Sequence, residues 1–441
     1  LNISLASDLD QLREKWDENP SRYITSVNPD PKGEKIAITA RGRVFVVPIK
    51  SGRIISFTEQ NGVRYRDALF SHDGENIITL SDQSGEFEFV KFNSNGEGVH
   101  SNITNDGNIL RYQGIPSPDG KWIAYDDLES NMYILNIESG LSKKISTNNE
   151  GIWDFSWSPD SKWLAFVQTA LNSMSQIKIY NIKDESIFDL TTDRANSFNP
   201  KWSPDGKFIY FLSDRSFTTL VGSPWGTRQP EPYWDASEKL YHINLKKGIR
   251  SPFRESDEMM EKDDEKKTKN KKDKVTVSID IEGIQSRIEE VPIPAGNYSN
   301  LDMNDKSIYL ISRETGINAK SNLKVLSISN ENIKLKDMAS DVSNFQLTKD
   351  GKNILIRKGR TYYMVKAGSG KANLTESRIN FSGWKFSIDP RKDWKQIYKD
   401  AWRMERDYFY DKNMHGVNWD KMYDKYLPLV DRVTTRNELN D

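Results

Sequence analysis

A four-residue turn that recurs along the chain is the feature that most restricts its fold. Ser117-Pro-Asp-Gly, Ser158-Pro-Asp-Ser and Ser203-Pro-Asp-Gly each lead into Lys, an aromatic residue and an apolar run, and Ser71-His-Asp-Gly is a fourth copy. Pro presets the first turn residue, Asp accepts backbone N–H groups and Gly supplies a positive φ, so each copy predicts a tight turn between two strands. Asn28-Pro-Asp-Pro is a fifth copy with a longer turn, and residues 304–311 and 348–356 hold two weaker ones.

The spacing of the turns predicts the architecture. From Gly33 to Gly74 is 41 residues, from Gly74 to Gly120 is 46, and from Gly120 to Ser161 is 41. Four short strands fit each interval, which is the period of a propeller blade. We therefore expect an all-β fold, a seven-bladed β-propeller of four-stranded blades over residues 22–388, preceded by an N-terminal segment over residues 1–21. A longer interval, between the fifth and sixth turns, predicts a charged, disordered insertion over residues 251–274.

The way in which such a ring would close can also be read from the repeat. The first and the seventh units have the same strand order, so no strand is left to be exchanged between the first and last blades. The sequence therefore favours a ring that closes by packing alone. One alternative remains open, because the segment from Ser382 to Asp389 could supply a closing strand.

The pattern changes to a helical one after residue 388. Asp389 followed by Pro390 predicts a helix start, with Asp as the N-cap and Pro at the first helical position. A second helix is predicted from Asn418 to Val433, and Thr435-Arg-Asn-Glu is a capping box that opens a third. We interpret residues 389–441 as the start of a second, helical domain that is truncated in this sequence.

Composition excludes several classes of function. The chain of 441 residues carries 63 Lys plus Arg and 64 Asp plus Glu, so its formal net charge is −1 and gives no field to attract nucleic acid or an anionic membrane. It has no Cys and 4 His, none of them at the spacing of a metal site. Nucleophile and phosphate-binding motifs are also missing. We expect no catalytic residue, no metal and no cofactor in these residues, and neither nucleic acid nor membrane as a partner.

One recurring feature is a candidate for function. The innermost strand of each blade is predicted to begin with an aromatic residue, and in three blades an Arg precedes it. Since innermost strands line the axial channel of a propeller, these residues could meet peptide carboxylates at a channel mouth. The candidate substrate contacts are Arg22, Arg64, Tyr65, Arg111 and Tyr112. The structural alternative is that the aromatic rings pack between blades and the Arg side chains are solvated or paired.

Three segments resemble the bacterial and archaeal tricorn proteases. They are Ser223-Pro-Trp-Gly-Thr-Arg-Gln-Pro-Glu-Pro-Tyr, Ser251-Pro-Phe with its charged loop, and the helical run from Asp393 to Trp419. The resemblance covers nearly the whole chain. It implies that the chain is the seven-bladed propeller and the first helices of the first catalytic subdomain of a serine peptidase that degrades oligopeptides and unfolded peptides. The catalytic residues would then lie outside this sequence.

The resemblance also implies partners. They are peptide substrates and the other domains of the same polypeptide, namely a second propeller, a PDZ-like domain and catalytic domains, in a homo-oligomer when full length. The compartment is open, cytoplasmic or periplasmic in a prokaryote. Two other readings remain: a TolB-like propeller that binds a protein or ligand without catalysis, and the propeller of a prolyl-oligopeptidase-type enzyme.

Overall fold

Seven β-sheets arranged as the blades of a propeller make up most of the molecule. The computed structural model describes residues 9–57, 62–148, 150–216, 234–257 and 275–441. Strands are numbered in chain order, and β1 (Lys15–Asp17) precedes the first blade. Blades 1 to 3 comprise β2–β5 (Ile24–Pro29, Lys35–Ala40, Arg43–Pro48, Ile55–Ser56), β6–β9 (Tyr65–Phe70, Asn76–Ser81, Glu88–Asn93, Ser101–Asn102) and β10–β13 (Ile115–Pro116, Trp122–Asp126, Asn131–Asn136, Ser142–Thr147).

The remaining blades follow the same antiparallel order. Blades 4 to 6 comprise β14–β17 (Ile152–Trp157, Trp163–Thr169, Ser175–Asn181, Ser186–Asp189), β18–β21 (Ser197–Trp202, Phe208–Ser213, Lys239–Asn244, Ile288–Glu290) and β22–β25 (Asn297–Met303, Ser307–Arg313, Ser321–Ser327, Lys336–Ala339). Blade 7 has β26–β28 (Asn344–Leu347, Asn353–Lys358, Thr361–Lys366), and a bridge between Tyr363 and Arg378 takes the place of its fourth strand. The predicted seven-bladed propeller is confirmed.

The recurring turn has the same side-chain hydrogen bonds in five of the blades. In blade 3, Ser117 Oγ donates to Asp119 Oδ1 at 2.6 Å and accepts from the backbone N–H of Trp122 at 3.0 Å. Gly120 has φ +72° and donates its N–H to the carbonyl of Ser117. The same Ser or Thr bonds recur in blades 2, 4, 5 and 7. The Ser hydroxyl thus bridges the turn to the first residue of the next strand, which explains why this residue recurs.

Apolar side chains are buried between blades. In the part of the chain that the structure describes, seven hydrophobic clusters form, one at each interface between neighbouring blades. Ser251 and Phe253, which fall within the predicted insertion, are 7% and 4% exposed, and Phe253 packs between blades 5 and 6. The first residues of that segment are therefore core, whereas residues 258–274 lie outside the described ranges.

The ring closes without a shared strand. Each blade is built from consecutive strands, and across the described ranges no strand of blade 1 pairs with blade 7. The segment considered as a closing strand instead forms β29 (Phe386–Ile388), which pairs with β1 outside the blades. Just before it, Trp384 packs against Phe45 of blade 1 with ring centroids 5.0 Å apart, in a cluster that includes Tyr362 of blade 7. We call Trp384, β29 and β1 the clasp, because together they cover the seam between the two blades.

Three helices follow the clasp: α1 (Pro390–Tyr408), α2 (Trp419–Val430) and α3 (Arg436–Asn440). The predicted starts are confirmed, since Asp389 caps α1 and Thr435 and Glu438 form the capping box of α3. The predicted second helix is three residues shorter at its C-terminus than expected. None of the helices in the described residues is both long and apolar enough to cross a bilayer.

Candidate functional site: the axial channel and the docked helix

In each blade one polar residue, in the innermost strand or, in blade 3, just before it, occupies an equivalent position. This residue lies four positions before the turn Ser or its equivalent. The seven positions, which we call the axial belt, are Ser26, Asp67, Gln113, Asp154, Asn199, Asn300 and Asn344. In blades 2, 4, 5 and 6 the belt residue sits at a β-bulge and has φ between +50° and +55°. Asn and Asp tolerate this left-handed conformation better than other residues with a side chain, which explains their use at these four positions.

Belt residues of blades 4 to 7 are bonded to one another around the axis. Asp154 Oδ2 accepts from the backbone N–H and the Nδ2 of Asn199, at 2.9 and 2.7 Å. Asn199 Oδ1 in turn accepts from the N–H of Asn300 at 3.0 Å, and Asn300 Nδ2 donates to Asn344 Oδ1 at 2.5 Å. This half of the belt is therefore a chain of hydrogen bonds that ties each blade to the next.

The other half of the belt surrounds a cavity. A space of about 200 Å³ is lined by belt residues of blades 7, 1, 2 and 3, together with polar neighbours on the same strands. Its polar lining includes Thr25, Ser26, Asn28, Asp67, Gln113, Asn344, Gln346 and Arg357. No hydrogen bond joins Gln113 or the Nδ2 of Asn344 to another described residue, and both residues are exposed. The lumen therefore contains amide donors and acceptors that are available to a bound molecule.

Asp67 is the charged group of this half of the belt. Its carboxylate lies 3.9 Å from the Nε of Arg66, and its side chain is 24% exposed. Burial raises the pKa of Asp67, and the nearby charge of Arg66 offsets only part of that rise. The Asp67 carboxylate is thus a hydrogen-bond acceptor beside the lumen, and a donor brought close to it would stabilise its charged form.

A second cavity adjoins the lumen. It measures about 560 Å³ and shares Thr25 and Asp67 with the axial cavity, so the two cavities are neighbours. Of the predicted contact residues, it brings together Arg22, Arg64 and Tyr65, and it adds two further arginines, Arg41 and Arg66. We call it the arginine groove.

Each predicted arginine already has a carboxylate partner. Arg22 Nη2 lies 2.6 Å from Asp17 Oδ2, and Arg64 pairs with Asp400 of α1. Arg111 is 3% exposed and pairs with Glu88 at 3.0 Å and Asp106 at 2.7 Å, away from the groove.

The two predicted tyrosines are also engaged. Tyr65 is 1% exposed, and its ring packs against Phe92 with centroids 5.5 Å apart. The hydroxyl of Tyr112 lies 3.3 Å from that of Tyr408. These contacts agree with the structural alternative, and a role in substrate contact stays a prediction.

Helix α1 is anchored on the ring through a polar face. Its side chains at positions 393, 396, 399, 400, 403 and 406 follow the spacing of one helical face, and all of them bond to residues of blades 1 and 2. Asp393 Oδ2 lies 2.6 Å from Arg41 Nη2, and Arg406 makes two bonds to Glu86, at 2.5 and 3.0 Å. The helix therefore bridges two blades next to the arginine groove.

Asp82 is the centre of this contact. Its carboxylate is 0% exposed and accepts from the N–H of Arg64, from Gln396 and from Arg403, with Lys399 Nζ 3.2 Å away. Burial on its own would raise the pKa of Asp82. The backbone bond from Arg64 and the charges of Lys399 and Arg403 outweigh it and hold the pKa below its usual value. A buried carboxylate of the ring thus receives two cations of the helix.

Sequence reasoning missed the belt and the docking face, although both leave a signal. The belt could have been found by comparing the residue four positions before each turn. The docking face could have been found from the charged and polar residues three and four positions apart in the first helix. The aromatic residue at the start of each inner strand is the more visible pattern, but most of these rings pack in the core.

Metal and hydrolytic chemistry find no support in the described ranges. No group of three or more His, Asp or Glu there could hold a metal ion. His242 Nε2 does lie 2.8 Å from Ser251 Oγ, but His242 is 0% exposed and is surrounded by Phe208 and Tyr210. This pair belongs to the interior of blade 5. Fold and site together define a seven-bladed propeller with a polar lumen, joined to a segment of three helices.

Comparison with known families gives the same division. Residues 24–368 match the family described as the tricorn protease second beta propeller domain, and residues 390–441 match the tricorn protease C1 domain. The chain belongs to the tricorn protease family.

Individual relatives extend over the whole chain. Tricorn protease homolog 1 of Streptomyces coelicolor is 26% identical over 451 aligned positions, covering 96% of this chain and 41% of the relative. The tricorn protease homolog of Saccharolobus solfataricus is 26% identical, covering 100% of this chain and 40% of the relative. A crystal structure of the tricorn protease superposes with a TM-score of 0.81 at 18% identity, over 100% of this chain and 41% of that one. This chain therefore spans about two fifths of the length of these relatives.

Proposed function

We propose that this chain is the substrate-gating propeller of a tricorn-like serine peptidase that degrades oligopeptides and unfolded peptides. The reaction itself would take place in domains outside this sequence. Family membership supports a peptidase, and the observation that carries the gating role is the polar lumen, adjacent to a groove beside the first helix of the C1 region. A cavity of about 200 Å³ is far too small for a folded domain, so under this proposal an extended chain would enter and access rather than sequence would select the substrate.

The arginine groove supports the same role at the mouth of the lumen. Arg22, Arg64 and Arg66 are each between one third and about one half exposed, and each has donors left after pairing with one carboxylate. These arginines would pair with carboxylates of an entering peptide, and Tyr65 would support the groove from beneath by its packing. Arg111 and Tyr112 would act indirectly, by fixing the adjacent blade.

A blocking experiment on the peptidase that contains this chain tests the proposal. In a version of the peptidase whose other domains carry no Cys, a single Thr25→Cys substitution gives a unique thiol, because this chain has no Cys, and it places that thiol on a residue that lines both the lumen and the groove. Attaching a bulky maleimide there should reduce cleavage of an unfolded peptide of about 20 residues at least tenfold relative to the same unlabelled variant. The matched control is Asn95→Cys, an exposed loop position of blade 2, where labelling should change nothing. Equal cleavage before and after labelling of residue 25 would overturn the gating role.

A TolB-like binding module without catalysis remains the second reading from sequence. The docked helix α1 disfavours it, because the ring is anchored to a segment that matches a catalytic-region domain. Absence of peptide cleavage by the protein that contains this chain, together with stable binding of a folded partner, would favour it.

A further inference from the structure

The half of the axial belt that lines the cavity has the properties of a binding site for the main chain of an extended peptide. We infer that Asp67, Gln113 and Asn344 hydrogen-bond the backbone amides of a peptide in the lumen and so hold it without reading its side chains. This inference rests on the proposed function, since it names what the gating channel recognises. Its three residues come from equivalent positions of blades 2, 3 and 7 and line one cavity of about 200 Å³.

Hydrogen-bonding capacity is the first argument. A peptide main chain presents one donor and one acceptor at each residue, and both must be satisfied when it leaves water. The amide of Gln113 and the Nδ2 of Asn344 are unused among the described residues, and Asp67 contributes a carboxylate acceptor. Together these groups can both donate to a peptide carbonyl and accept from a peptide N–H.

The asymmetry of the belt is the second argument. On blades 4 to 6 the equivalent residues Asp154, Asn199 and Asn300 use their side chains to bond the next blade. If bonding between blades were the sole role of the belt, Asp67 and Gln113 would be expected to make the same bonds. They do not, and the cavity lies on their side of the axis.

The bulges are the third argument. An inner strand has one edge that faces the lumen, and a regular edge of this kind would capture an extended peptide as an additional strand. A bulge with a left-handed residue in β6, β14, β18 and β22 interrupts that edge. Side-chain amides then offer separate, replaceable hydrogen bonds, which would let a peptide move along the axis.

Binding measurements on the present chain test this inference. A fluorescent unstructured 15-residue peptide, a scrambled version of it, and a version N-methylated at every second residue are titrated by anisotropy. We expect the scrambled peptide to bind within about twofold of the parent and the N-methylated peptide at least tenfold more weakly. The double variant Gln113→Ala/Asn344→Ala should weaken binding of the parent peptide about 4- to 100-fold, since each of the two lost hydrogen bonds costs about two- to tenfold.

Controls separate binding from folding. Gln113→Asn/Asn344→Gln keeps both amides and should recover part of the affinity, whereas Asn95→Ala in an outer loop should have no effect. Thermal unfolding of each variant shows whether the ring is intact.

The outcomes distinguish the two proposals. If the parent peptide binds but the double variant and N-methylation have no effect, the belt does not bind the main chain, although the gating role stands. A large effect of scrambling with none from N-methylation would likewise overturn the belt proposal, in favour of side-chain recognition. If no peptide binds the wild-type chain, the belt proposal fails, while the labelling experiment at residue 25 still decides the gating role.

Discussion

Removing the charge of Asp82 should release helix α1 from the ring. Asp82→Asn keeps an oxygen that can accept the N–H of Arg64, so the turn of blade 2 is retained. It removes the carboxylate that lies 3.0 Å from Arg403, whose side chain is 4% exposed, and leaves only the more distant Asp400 at 4.0 Å; it also leaves Lys399 without its nearest counter-charge. The perturbation therefore affects the contact between helix and ring more than either part alone.

The magnitude follows from the burial of the two partners. Removing one partner of a buried ion pair costs about 3–5 kcal/mol, because the remaining charge stays out of water without a counter-charge. Asn can still accept a hydrogen bond, and Lys399 is 24% exposed, so we take about 3 kcal/mol for this contact. If α1 exchanges its amide hydrogens by undocking, this loss raises the exchange rate by roughly 100-fold, since about 1.4 kcal/mol is a factor of ten.

Hydrogen exchange measured by mass spectrometry, resolved to α1 and to each blade, is the assay. The matched control is Asp189→Asn in blade 4, which removes a surface carboxylate 2.5 Å from Lys178 and should cost less than about 1 kcal/mol. Asp82→Asn combined with Arg403→Met should recover much of the protection, because replacing both partners removes the unpaired charge. A change of less than threefold in α1 exchange for Asp82→Asn would refute the reasoning, and so would equal effects of the two single variants.

Three further predictions concern the ring. Trp384→Ala in the clasp should destabilise the protein by about 3–5 kcal/mol, measured by denaturant unfolding, with the largest rise in exchange in blades 7 and 1. Asp126→Asn should stabilise the protein by about 2 kcal/mol at pH 8 and little at pH 4 in thermal unfolding. Burial raises the pKa of Asp126 to about 7, so its carboxyl opposes folding increasingly as pH rises above 4. Gly140→Ala should cost more than Gly248→Ala in denaturant unfolding. Both glycines have positive φ, but a Cβ on Gly140 would lie 2.3 Å from the carbonyl oxygen of Ile103, whereas Gly248 has open space.

The architecture could be predicted from the sequence because each turn is determined by residues close together in the chain, and because the turn is repeated. A turn such as Ser117 to Gly120 satisfies its own hydrogen bonds within six residues, so its geometry needs no information from the rest of the fold. The helix starts at Asp389 and Thr435 are local in the same sense. Seven repetitions at one period then leave few architectures other than a propeller.

The candidate site was harder to predict because its contacts are distant in sequence. The partner of Arg64 is Asp400, 336 residues away, and Asp82 meets Arg403 across 321 residues. A single sequence contains no record of such pairs. The aromatic residues that begin the inner strands were visible, but whether a ring such as Tyr65 faces the lumen or the neighbouring blade depends on the bulge that follows it.

One short segment of the chain both closes the ring and leads into the docked helix. Trp384 and Phe386 cover the seam between blades 7 and 1, and three residues after Phe386 the chain reaches Asp389, the cap of α1. Helix α1 then bonds to blades 1 and 2. Since no shared strand joins blades 7 and 1 among the described residues, one continuous segment connects three blades: the clasp covers the seam between blades 7 and 1, and the docked helix ties blade 1 to blade 2. Loosening of one should therefore weaken the other, which predicts that Trp384→Ala also raises exchange in α1 and that Asp82→Asn raises exchange in the clasp. Independent responses of the two segments would show that the seam is held by its apolar packing and the polar bonds between the blades alone.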